Sequence, residues 1–73
     1  MNDRILEIMV GVLKISRDKL LENFDNNEIW DSLTRVEILF EMEEEFDVFF
    51  EEEELAALVT PRLLCDAAIR KAE

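Results

Sequence analysis

Apolar residues recur three and four positions apart along most of this chain, the spacing of one helix face. No stretch alternates apolar and polar with period two. A single Gly and a single Pro leave little to break the chain into strands and turns. The pattern predicts an all-α protein. Asn2 or Asp3 can cap a first helix that runs to about Leu13–Ile15. Its apolar stripe is Ile5, Leu6, Ile8, Met9, Val12 and Leu13, wide enough to bury one face in a bundle, and Gly11 weakens it slightly. From Ser16 to Trp30 the periodicity fades. Asn23, Asn26 and Asn27 favour turns, so this stretch reads as a long loop. Leu20, Leu21, Phe24, Ile29 and Trp30 are the expected plugs that pin it to the core.

Asp31 is a good N-cap for a second helix, about Ser32 to Phe46. A short helix is expected over Glu52 to Leu58. Thr60-Pro61 is the sharpest start signal in the chain, with Thr as cap and Pro at the first helical position. The last helix should run to about Lys71, packing through Leu63, Leu64, Ala67 and Ala68, with Arg70 and Lys71 suiting its negative end. The expected fold is a small bundle of three main helices plus one short helix. It is read as one domain over residues 1–73, since 73 residues give room for one small core and no repeat or linker is visible.

Charge changes the picture. The net charge is -11, from 19 acids and 8 bases with no histidine. Between Leu20 and Pro61 stand 14 acids and one base, Arg35. Such a surface repels nucleic acid and anionic lipid and steers the protein toward basic patches on partner proteins. No apolar run approaches the roughly 20 residues of a membrane span, and the first residues lack the pattern of a secretory leader. The lone Cys65 excludes an internal disulfide and suits a reducing, cytoplasmic setting. In the last helix it reads as a small buried hydrophobe. Without histidine there is no imidazole base, and no zinc site is expected. A calcium loop starting at Asp25 fails, because Trp30 and Val36 stand where glycine and the closing glutamate belong. Loose divalent binding by the Glu51–Glu54 run or the second helix would only relieve self-repulsion.

The second helix carries two apolar faces. At about 100° per residue, Ile38, Leu39, Met42 and Phe46 form a core stripe. Leu33, Val36 and Phe40 fall more than about 90° away and share their side with Glu37, Glu41 and Glu44. Glutamates are costly to bury, so this mixed face reads as a docking surface, although Leu33 should pack partly inward. Ser32 opens the helix, beside unpaired backbone N–H groups and the positive dipole end.

The head of that helix reads Trp30-Asp31-Ser32-Leu33, followed by Val36-Glu37 and closed by Glu43-Glu44-Glu45-Phe46-Asp47. In these motifs, their spacing, the length and the acidity, the chain resembles the acyl carrier protein family. The resemblance implies that a phosphopantetheinyl transferase moves a 4'-phosphopantetheine arm from coenzyme A onto Ser32. It implies that Asp31 and Leu33 complete the attachment motif and that Val36, Glu37, Phe40 and Glu44 face partner enzymes, with Glu41 placed on the same docking face by the helical wheel alone. Those partners would be acyl-activating ligases, synthases or acyltransferases with basic patches. The arm's thiol would carry an acyl group as a thioester, and the chain itself, expected to be a monomer, would catalyse nothing. Ile29-Trp30, Arg35, Glu41 and Val48-Phe49-Phe50 depart from the pattern of carriers in primary fatty-acid synthesis. They favour a dedicated carrier for a specialised lipid, fatty-acid or polyketide product. Peptidyl or aminoacyl carriage shares the fold and the arm. An acidic interaction module that never accepts an arm is the alternative from another class, and Ser32 is the residue that separates them.

Overall fold

The computed structural model describes residues 2–72. Its order is α1 (Asn2–Leu13), α2 (Arg17–Glu22), a 3-10 turn (Asn27–Ile29), α3 (Ser32–Phe46), α4 (Glu52–Ala57) and α5 (Pro61–Ala72). Among the described residues there is no strand. The three long helices stand where the hydrophobic spacing puts them. Asp3 lies inside the first turn of α1 rather than capping it, and the side chain of Asn2 lies outside the described residues.

The segment expected to be a loop holds a helix. Ser16 caps α2, its hydroxyl accepting from the Lys19 N–H at 3.1 Å. Six residues with only Leu20 buried are too few for a periodic signal, so the cap alone marks this element. The turn into it is made by Lys14 at φ 58°, a left-handed conformation that an L residue adopts at a cost. Asp47 ends α3 in the same conformation at φ 54°, which its short polar side chain tolerates better.

The core is one apolar cluster. Ile5 and Met9 of α1, Leu20 of α2, Ile38, Leu39 and Met42 of α3 and Leu64 of α5 are almost fully buried. Burying each such side chain contributes roughly 1.5–3 kcal/mol. Helix α1 lies against α2, α3 and α5 and so forms the hub. Cys65, Ala67 and Ala68 let α5 approach closely, and burial pushes the Cys65 thiol above its ordinary pKa. Val12, Leu13 and Phe46 pack on the cluster from its margin. Three expected contacts are absent. Leu21, Leu33 and Leu63 are exposed and stand outside the core cluster, Leu21 in the short α2 and the other two in the first turns of α3 and α5.

The segment before α3 is held by side chains from α5 and its approach. Trp30 is buried, and its indole N–H donates to the Val59 carbonyl at 3.1 Å. The Arg62 N–H donates to the Phe24 carbonyl at 2.9 Å, while its guanidinium grips Asp25 and lies 5.0 Å from the Phe24 ring centroid. These ties fix the direction from which the chain enters α3.

Candidate functional site

Helix α3 starts cleanly because Asp31 is extended, at φ -95° and ψ 175°, and its carboxylate accepts from the Thr34 N–H at 2.8 Å. That bond holds the Asp31 carboxyl below its ordinary range, so it stays ionised at neutral pH. Ser32 follows as the first helical residue and is exposed. Its hydroxyl therefore sits in the first turn, at the positive end of a helix of 15 residues. Leu33 stands 71% exposed beside it.

A hollow of about 240 Å³ opens next to Ser32, lined also by Asn27, Trp30, Asp31, Arg35 and Val59. The Arg35 guanidinium forms part of its wall. One Nη1–H donates to the Leu58 carbonyl at 3.1 Å, whereas the Nε–H is buried without a partner. Arg35 and Trp30 thus donate to two successive carbonyls, Leu58 and Val59, and strap the link before α5 to the head of α3. The sequence marks Arg35 only as a lone base, and its partner 23 residues away has no local signature.

The outer face of α3 is open to solvent. Phe40 is 62% exposed, Val36 is half-buried, and Glu37, Glu41 and Glu44 are exposed. The structure thus brings together Leu33, Val36, Phe40 and the three glutamates on one face, which α4 meets only at the edge where Val36 and Phe40 share a hollow with Leu55. A second hollow of about 230 Å³ lies at its edge, lined by Val36, Leu39, Phe40, Phe49, Phe50 and Leu55 among others. Sequence reasoning missed Phe49, which is 70% exposed. The hollow keeps its shape because the Glu43 carboxylate accepts from the Phe50 N–H at 2.7 Å. The visible signal was the paired Phe49-Phe50 where the turn should be polar.

The acids are spread rather than gathered. Among the described residues, no three His, Cys, Asp or Glu side chains converge as a cation site, and no helix is long and apolar enough to cross a membrane.

The molecule is a small helical bundle with an exposed serine on the first turn of its longest helix, beside an open hollow. The sequence matches the profile described as the phosphopantetheine attachment site over residues 3–68, and the chain belongs to that family, the acyl carrier proteins. Comparison with curated proteins and with solved structures returned no match. The family carries 4'-phosphopantetheine as a covalently attached group, so a phosphopantetheine-carrier role is the general function of this chain. Members of the family are handled by phosphopantetheinyl transferases and synthases and are generally non-catalytic.

Proposed function

We propose that this chain is an acyl carrier whose arm is attached at Ser32. The observation that carries the reading is the exposed Ser32 hydroxyl on the first turn of α3, with an open hollow beside it. The surroundings fit the group. The helix end favours an anion, the hollow has room for the root of an arm, and Arg35, whose buried Nε–H has no partner, lines it. The bound arm supplies a thiol that holds acyl intermediates as thioesters. The chain's own residues do the positioning. Asp31 fixes the first turn, Trp30 and the Arg62 clamp hold the approach to it, and Leu33 is left outside for a modifying enzyme to touch.

Docking is assigned to the outer face of α3. Val36 and Phe40 offer apolar anchors, and Glu37, Glu41 and Glu44 ring them with charge that pairs with basic patches. The transferase, an acyl-activating ligase, and synthases or acyltransferases are the proposed partners, in a cytoplasmic setting. Arg35, the Trp30 plug and the exposed Phe49 support a dedicated carrier for a specialised lipid, fatty-acid or polyketide product.

The test is intact-mass spectrometry after incubation with coenzyme A and a broad-specificity phosphopantetheinyl transferase. Wild type should gain one phosphopantetheine group, and folded Ser32→Ala should gain none. A folded wild type that gains nothing favours the interaction module. An equal gain on Ser32→Ala sinks the assignment of the serine.

A further inference from the structure

Arg35 is the one base between Leu20 and Pro61, in a stretch that holds 14 acids. Among the described residues it nonetheless has no carboxylate within 4.0 Å, whereas Arg4 has two and Arg17, Arg62 and Lys71 have one each. Asp31, one turn before it, is a suitably spaced partner, but that carboxylate is turned to the Thr34 N–H. Arg35 spends one donor on the Leu58 carbonyl and keeps its Nε–H buried and unmet. A cation with an unsatisfied donor is destabilising where it stands unless something else meets it. Ser32 lies three residues before it, on the same side of α3, and both residues line the same hollow.

We infer that Arg35 is the positioning residue for the root of the arm, its guanidinium pairing with the phosphodiester on the Ser32 hydroxyl. The inference rests on Ser32 being the point of attachment. A phosphodiester there brings a fixed negative charge beside Asp31, which is itself ionised. The helix end alone must then serve two anions. A guanidinium one turn along offsets that repulsion, and its planar fork matches two phosphate oxygens. The arm would then leave Ser32 from a defined direction, against the Trp30 and Val59 wall, rather than swinging freely from an exposed side chain.

The experiment uses the full chain, loaded from coenzyme A by the transferase, with wild type, Arg35→Gln and Arg35→Lys compared unloaded and loaded. Intact mass reports loading. The Arg35 Nε–H resonance of the wild type is followed through it by NMR, and Tm is taken for every form at low and high salt. Loading should move the Nε–H resonance downfield. It should raise the Tm of wild type by about 1–4 °C more than that of Arg35→Gln, with Lys in between and the margin shrinking in high salt. A merely structural Arg35 would lower both forms of Arg35→Gln equally and leave the Nε–H where it was, which overturns the inference. The Nε–H readout needs no variant, so it decides even if Arg35→Gln does not fold. A wild type that gains no mass removes the arm, and this assignment with it.

Discussion

The two sides of α3 are made from the same kinds of residue and end in opposite environments. Ile38, Leu39 and Met42 are dry in the core cluster on the side of α1, while Leu33 and Phe40 stand in water among glutamates. Apolar character alone does not decide which side is which. The acids do, because Glu37, Glu41 and Glu44 cannot be buried without partners and so turn their side outward. The inner side specifies the fold. The outer side keeps apolar surface exposed at a cost to solubility, which a face used for binding explains and a face used for packing does not.

Mutation should separate the two sides. Ile38→Ala removes a fully buried side chain and should cost about 2–5 kcal/mol in urea unfolding. That is a large share of what a domain of this size holds. Phe40→Ala on the outer side should change stability by no more than about 0.5 kcal/mol, yet weaken capture by a partner enzyme at least about fivefold. Equal losses of stability would erase the distinction.

The head of α3 offers a finer test through pH. Asp3, Asp25, Asp31, Glu45 and Glu54 are all held below their ordinary pKa values, Asp31 by its backbone bonds to Thr34, Glu54 by the Glu51 N–H and Lys71, and the others by arginines. A carboxyl depressed in the folded state stabilises fully above its unfolded value, about pH 4. That contribution is lost as pH falls through the folded value. Tm should therefore drop below about pH 4. Asp31→Asn, which caps as well but does not titrate, should keep Tm at pH 7 and lose part of the acid dependence. An unchanged acid profile in the Asn variant would remove Asp31 from this account.

The smallest effect concerns the acids of the outer side. They repel one another across a surface of net charge -11, so NaCl should raise Tm modestly by screening. A flat salt response would mean that the acids are too dispersed for their repulsion to matter.

The sequence carried much of this but not evenly. Both ends of α3 were legible, because Asp31 and the Phe46-Asp47 close are local signals that need no distant partner. The start of α5 was legible for the same reason, and the Thr60 hydroxyl accepts from the Leu63 N–H at 3.2 Å. Helix α2 was not, since six residues with one buried side chain show no period. Leu21, Leu33 and Leu63 looked like packing residues, yet whether a leucine packs depends on what stands opposite it, and nothing does. The candidate site divides in the same way. Ser32, Asp31 and the outer residues follow from a local motif and a helical wheel. The hollow, the Leu58 and Val59 carbonyls and the exposed Phe49 depend on how α4 and its flanks fold back onto α3, which no nearby residue records.

Trp30 has one more consequence. The chain contains no tyrosine and a single tryptophan, and that indole forms one wall of the hollow beside Ser32 while bonding to the Val59 carbonyl. The indole emission of the chain therefore comes from one fluorophore beside Ser32. Nature has labelled this molecule where a spectroscopist would have chosen to, and events at the head of α3 can be followed optically with no dye attached.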